Sequence, residues 1–287
     1  MPYTVEASFD AFYESINMGG DHRETANKRR DDIVNRLGKT FSIVEAFSTG
    51  SIPKYTALKG NADLDVMVTL HFGKHIEGKT PTQVLQDVRD VLAEWRTGVR
   101  KNGQAVTLYY KTWPNVDIVP VSRATNDNGA VLHYNVPDSN TNTWIRSKPK
   151  SHAADIEKKS SDCGYNFRRI IKMIKHWNMI HSDYLQSYHI EVLALKIFDS
   201  NIDDTPWNVF QFFDKARLLL GSSLWHDLGF ADDYLSWSDR QEVLKRFDTA
   251  IDKSRSAWSK TYGDKIDHKG AIEIWKQVFG DKFPSYG

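Results

Sequence analysis

The spacing of apolar positions changes period twice along the chain. Phe9, Phe12, Tyr13 and Ile16 recur at helical spacing behind Ser8, a residue suited to capping a helix start, and Gly19-Gly20 interrupts the run. A second helical stretch, from about residue 23 to 37, is charged, with Ile33, Val34 and Leu37 on one side and Gly38 at its end. The period then shortens to two. Phe41, Ile43, Glu45 and Phe47 alternate with Ser42, Val44 and Ala46, which predicts a strand running into Thr49-Gly50-Ser51. Leu64, Val66, Val68 and Leu70 alternate against Asp63, Asp65, Met67 and Thr69 and predict a second strand. Residues 82–96 read as an amphipathic helix, and Asn102-Gly103 and Asn128-Gly129 as turns, with strands over 105–110 and 116–122. The polar stretch 138–150, with its SNTNT and SKPK runs, is the candidate linker. From about His152 onward the period is helical again, strongest over 167–180 and 188–198, with 207–220, 239–255 and 269–279 behind them.

The pattern predicts an α+β lobe over residues 1–150 followed by a helical lobe over 151–287. Composition narrows the setting. No apolar run approaches the ~20 residues needed to span a bilayer, and the start, MPYTVEASFD, lacks the basic and apolar regions of a secretion signal. No membrane association is expected. Cys163 is the single cysteine, so an intramolecular disulfide and a multi-cysteine zinc site are both excluded, and a reducing cytoplasm is the expected compartment. A formal net charge of +1 is small for a protein that coats duplex nucleic acid, but leaves small phosphate-bearing ligands open.

Chemistry concentrates between residues 49 and 117. Asp63 and Asp65 lie two apart on one strand, so both carboxylates leave the same face, about 6–7 Å apart along the chain. Such a pair repels unless a cation sits between its members, and Mg²⁺ favours hard oxygen ligands together with substrate phosphates. Asp117, within VDIVPV, occupies another strand. Were the two strands neighbours, at roughly 4.8 Å spacing, three carboxylates could converge on two ions. Gly50-Ser51 follows a strand and is expected to open a short helix, where glycine permits close backbone approach and the hydroxyl and free N–H groups receive a phosphate.

A GS turn, a DxD pair and a third strand carboxylate in this order resemble the signature of the nucleotidyltransferase superfamily. The resemblance is closer to the bacterial CD-NTase family (cyclic GMP-AMP synthase/DncV-like nucleotidyltransferases). GSIPKYTALKGNADLDVMV resembles its GS-to-DxD block and NVDIVPV its third-carboxylate strand. WIRSKPKSH, FRRIIKMIKHWN and LQSYHIEVL resemble later blocks, and the likeness is weakest beyond residue 200. It implies a polymerase-beta-like core with a mixed β-sheet and N-terminal spine helix, closed by a C-terminal helical bundle. It further implies that Asp63, Asp65 and Asp117 are catalytic and hold two Mg²⁺ ions, for which Mn²⁺ would be a substitute. Gly50 and Ser51 would cradle the donor triphosphate. Lys175, with Lys172 one turn earlier, would reach phosphates, Ser187 would bond phosphate and Tyr188 would stack a base. From the residues alone, Tyr188 fits a helix core equally well, and the two lysines fit a solvated face.

The implied reaction joins nucleoside triphosphates, with release of pyrophosphate, into a cyclic di- or oligonucleotide messenger for an antiviral effector. A template-independent RNA-tailing enzyme and a silent nucleotide-binding scaffold are the rivals. The first lacks an evident extended basic groove, and the second sits poorly with three retained aspartates. A duplex-DNA activator is not expected, since the zinc-bound insertion of the animal relative cannot be built here. The resemblance also raises conjugation of Gly287 to a ubiquitin-like ligation partner, against which an ordinary frayed terminus is the alternative. Trp177, Trp207, Trp225, Trp237, Trp258 and Trp275 are expected to serve as core and surface anchors.

Overall fold

The computed structural model describes residues 2–287. Helix α1 (Val5–Ile16) is capped by Thr4, whose side chain accepts from the Ala7 N–H. The expected cap, Ser8, is buried inside the helix and donates its hydroxyl to the Thr4 carbonyl. The chain forms two compact units, Met18–Ala153 on one hand and Met1–Asn17 with Ala154–Gly287 on the other. The first helix, expected in the first lobe, thus belongs with the C-terminal helices. Its apolar stripe accounts for this: Phe9 packs edge-on to Trp275 at 5.0 Å and Phe12 lies 4.7 Å from Phe279.

The unit Met18–Ala153 contains α2 (Gly20–Leu37), β1 (Ile43–Thr49), β2 (Leu64–Leu70), α3 (Phe72–His75), α4 (Pro81–Trp95), β3 (Val99–Asn102), β4 (Ala105–Leu108), β5 (Val116–Thr125), β6 (Val131–Asp138) and β7 (Thr143–Ser147). The strands make one seven-stranded sheet in the order β1-β2-β5-β4-β3, extended by β6 on β5 and β7 on β6. Among the described strands of this sheet only β2 and β5 run parallel. The sheet is therefore mixed, as expected. Strand β2 is buried on both faces by period-two alternation. Leu64, Val66 and Val68 join Val116, Ile118 and the α4 stripe of Val84, Leu85, Val88 and Leu92 in a large core. Met67 points the other way, into a smaller cluster with Val119, Val121, Tyr134 and Val136. Thr80 starts α4 with a capping box closed by Gln83, and Pro81 takes the first turn.

The expected linker at 138–150 is instead largely a hairpin arm. Pro137 pairs with Trp144 and Asp138 with Thr143, while the Asp138 carboxylate accepts from the Asn140 N–H and the Thr141 hydroxyl. Strand β7 ends the β5-β6-β7 extension of the sheet and keeps exposed polar residues, so it carries no alternation that a sequence pattern could reveal.

Helix α5 (Pro149–Cys163) leads into α6 (Asn166–Ile180), α7 (Ser187–Ile197), α8 (Thr205–Leu219), the short hairpin β8 (Trp225–His226) and β9 (Gly229–Phe230), α9 (Trp237–Ser259) and α10 (His268–Phe279). Helix α6 is buried around much of its circumference, with Phe167, Ile170, Ile171, Met173 and Ile174 fully covered and Arg169, Lys172, Lys175 and His176 buried beside them. Trp177 meets Phe213 and Phe247 edge-on, both at 4.9 Å, which makes it a bundle-core residue. No described helix is long and apolar enough to cross a membrane.

Candidate active site

Four residues line up across neighbouring strands of the mixed sheet. Thr49 of β1 is the register partner of Asp65, Asp65 of Asp117, and Asp117 of Thr107 on β4. The strand adjacency that the three-carboxylate reading requires is therefore present. Asp63 stands immediately before β2, where the Leu64 N–H bonds the Asn115 carbonyl at 2.9 Å and zips the two strands together at this end. By alternation, Asp65 and Asp117 share a face with Met67 and Val119, so the carboxylates sit at the end of the smaller apolar cluster. All three aspartates remain partly exposed.

This placement disfavours charge. Burial, then the Asp117 charge, push the Asp65 carboxyl up to about 7, with Asp63 adding to the rise and Lys54 opposing it. Burial also raises Asp117, against the hydrogen bond it accepts from the buried Thr107 hydroxyl. Two like charges in register on adjacent strands form a donor set whose repulsion Lys54 offsets only in part. The donors are all hard carboxylate oxygens, as Mg²⁺ prefers.

The turn after β1 closes onto this set. Gly50 has φ +74°, and a Cβ built there would lie 1.8 Å from Asp65 Oδ2. Only glycine fits. Residues 51–55 form consecutive turns rather than the expected short helix. The Tyr55 N–H bonds the Ile52 carbonyl and the Thr56 N–H the Ser51 carbonyl, and Tyr55 itself takes φ 59°. Any phosphate held by Ser51 would therefore meet turn N–H groups and not a helix dipole. Arg23 of α2 covers the Tyr55 ring at 4.6 Å.

The remaining expected residues lie in the helical unit. Ser187 opens α7 and is exposed, and Tyr188 follows it with its ring 36% exposed, 6.0 Å from the His226 ring. Burial, then Asp227, Glu191 and Asp155, push the Tyr188 phenol up to about 12. Tyr188 is thus not a core residue. Neither lysine lies on a solvated face. Lys175 is 5% exposed and pairs with Glu191 of α7 at 2.8 Å. Lys172 is 1% exposed, donates to Asn17 Oδ1 at 2.6 Å and lies 5.2 Å from the Tyr13 ring. The structure thus gathers Gly50, Ser51, Asp63, Asp65 and Asp117 in one unit, and Lys172, Lys175, Ser187 and Tyr188 on α6 and α7 of the other. Sequence reasoning missed Thr107 and Glu191. Thr107 could be found only through strand register. Glu191 sits one turn after Ser187, a spacing visible in LQSYHIEVL.

A family model described as the Second Messenger Oligonucleotide or Dinucleotide Synthetase domain matches residues 3–160. The chain is 26% identical to a probable cyclic nucleotide synthase of Bacillus cereus, with 100% of this chain and 99% of the relative aligned. It is 23% identical to a CBASS oligonucleotide cyclase, CdnC, of Escherichia coli, over 95% of each chain. The solved structure of E. coli CdnC with ATP matches at TM-score 0.79, with 17% identity over 97% of this chain and 98% of that one, and shows the same fold.

Proposed function

The chain belongs to the Second Messenger Oligonucleotide or Dinucleotide Synthetase family of CD-NTases, and from that premise we propose that Asp63, Asp65 and Asp117 form a two-Mg²⁺ site for nucleotidyl transfer. The protein is a cyclic oligonucleotide synthase. One observation carries the site: Asp65 and Asp117 are register partners, with the Gly50 backbone pressed onto Asp65.

Asp63 and Asp65 would hold both ions, and Asp117, oriented by the Thr107 hydroxyl, would complete one of them. Bound Mg²⁺, or Mn²⁺ in its place, would lower the pKa of the attacking hydroxyl and offset charge on the transferring phosphoryl group. Ser51 and the turn N–H groups receive the donor triphosphate, and Gly50 lets that backbone come close. On the helical unit Lys175 and Ser187 serve phosphates and Tyr188 stacks a base, worth ~1–3 kcal/mol per base. Lys172, bonded to Asn17, anchors α6 to the end of α1.

A ribose hydroxyl of one nucleoside triphosphate attacks the α-phosphorus of another. The new O–P bond forms as the α–β P–O bond breaks, and pyrophosphate leaves. A second transfer within the linear product closes the ring. The named activities of the relatives support this reading over RNA tailing, and retention of all three aspartates supports it over a silent scaffold. The proposal extends to an antiphage role through an effector that binds the product, with the CBASS name of one relative as its support. Gly287 remains the proposed attachment point for a ubiquitin-like partner. Its N–H bonds the Pro2 carbonyl at 3.2 Å, and Tyr286 packs on Tyr3.

The test is pyrophosphate release from mixed ATP, GTP, CTP and UTP with Mg²⁺. Asp117→Asn should lower it by at least ~10³-fold, given what a metal-based electrostatic set contributes. An unchanged rate would remove Asp117 from the site.

A further inference from the structure

The first turn of α7, which presents Ser187 and Tyr188, is held from outside the helix. Its N-cap residue, Gln186, makes no side-chain cap. Instead the Gln186 N–H donates to the Tyr234 hydroxyl at 2.8 Å, and the same hydroxyl lies 2.9 Å from His189 Nδ1. The phenol oxygen accepts from the Gln186 N–H, and the same hydroxyl can give its proton to His189 Nδ1 when the imidazole proton sits on Nε2, or accept from Nδ1 in the other tautomer. His189 is 1% exposed, and its burial lowers its pKa to about 4, which keeps the ring neutral near pH 7. Tyr234 thus bridges the residues on either side of Ser187-Tyr188.

The turn that carries Tyr234 is itself pinned. Asp232, 4% exposed, accepts from the Leu224 N–H at 2.8 Å and pairs with Arg240 of α9 at 2.6 Å, and Arg240 also donates to the Leu220 carbonyl. A chain of satisfied polar contacts therefore runs from the start of α9 to the first turn of α7. Neither Tyr234 nor His189 belongs to the residues proposed above to touch nucleotide.

We propose that Tyr234, through its hydroxyl bridge to Gln186 and His189, is a positioning residue that sets Ser187 and Tyr188 for the triphosphate and base. The inference rests on the assignment of Ser187 and Tyr188 as nucleotide contacts. Without the bridge the N-cap N–H and a buried imidazole nitrogen lose their partner, and the first turn of α7 loses its fixed orientation while the rest of the helix keeps its packing.

The experiment uses the full chain, with α,β-methylene ATP and α,β-methylene GTP in Mg²⁺ as probes, calorimetry for affinity and triphosphate turnover for kinetics. Tyr234→Phe should bind the preferred analogue roughly tenfold more weakly, the scale of one lost hydrogen bond, and raise KM with kcat changed less than ~3-fold. His189→Leu should act alike. His189→Gln, whose amide oxygen can accept the Tyr234 proton, should stay within ~2-fold of the parent. Circular dichroism gives the folded fraction, and the His189 pair decides the matter should Tyr234→Phe fold poorly. Parent affinity in both Tyr234→Phe and His189→Leu would overturn the inference alone, as would losses that only track the unfolded fraction. Failure of the parent to bind either analogue would overturn both the inference and the nucleotide assignment of Ser187 and Tyr188.

Discussion

Asp65 of β2 and Asp117 of β5 are register partners on the only parallel pair among the described strands of the sheet. Adjacent strands lie about 4.8 Å apart, so two carboxylates in register cannot both ionise cheaply without a cation between them. Burial, with the Asp117 charge second, raises the Asp65 carboxyl to about 7 and gives the site a measurable signature without metal.

That signature is a pH-dependent cost. A carboxyl whose folded pKa lies above its unfolded value stabilises fully below the unfolded value and loses that contribution as pH rises through the folded one. Metal-free protein in EDTA should therefore lose stability as pH climbs from about 4 to about 7. Asp65→Asn should remove this trend and be more stable than the parent at pH 8, by on the order of 1–2 kcal/mol after allowance for the partly exposed edge. Mg²⁺ should raise the parent's Tm at pH 8 and leave that of Asp65→Asn nearly unmoved. Thermal melts across pH with and without Mg²⁺ read both effects.

Gly50 admits no side chain. Gly50→Ala would put its Cβ 1.8 Å from Asp65 Oδ2 at a backbone φ of +74°. The conformational cost alone is about 1–2 kcal/mol, while displacement of Asp65 should lower turnover by roughly 100-fold, in keeping with ångström-scale misplacement of a catalytic group. Initial rates compared with the melting temperature separate the two.

Lys175 and Glu191 should behave as a unit. Lys175→Met or Glu191→Leu alone leaves a buried charge and should cost about 3–5 kcal/mol, and the double substitution should recover most of it. Recovered stability without recovered nucleotide affinity would support a phosphate-facing role for Lys175. Recovery of both would make the pair purely structural. Urea unfolding and analogue binding on the three variants decide this.

His176 should contribute to the acid limb, alongside His189. Its Nε2 contacts the Phe279 carbonyl at 3.1 Å, and burial depresses its pKa to about 4. A histidine depressed in the folded state takes up its proton first on unfolding, so stability is intact above about pH 6.5 and falls towards pH 4. His176→Gln should flatten that fall, by on the order of 2 kcal/mol at pH 4.5, in denaturant titrations.

What could be read from the sequence follows from the periodicity of burial. The β2 alternation and the carboxylates of Asp63 and Asp65 were legible because one strand carried both the apolar face and the acids. Asp117 was legible as a strand acid, but its pairing with Asp65 was not, since register between strands about 50 residues apart is fixed by packing and not by local pattern. Strands β3 and β7 were missed because their exposed polar residues show no alternation. Lys172 and Lys175 were assigned to phosphate only through the family likeness. Their burial depends on Asn17 and Glu191, partners that a helical periodicity cannot name.

The most direct test of the central claim is incubation of the full chain with all four nucleoside triphosphates and Mg²⁺, with products read by mass spectrometry after phosphatase treatment. The account predicts a phosphatase-resistant cyclic oligonucleotide with matching pyrophosphate release, both lost in Asp63→Asn/Asp65→Asn. Product at the parent rate in that double variant would contradict the metal site assigned to Asp63 and Asp65, and only linear, phosphatase-sensitive products across metals and pH would contradict cyclic synthesis.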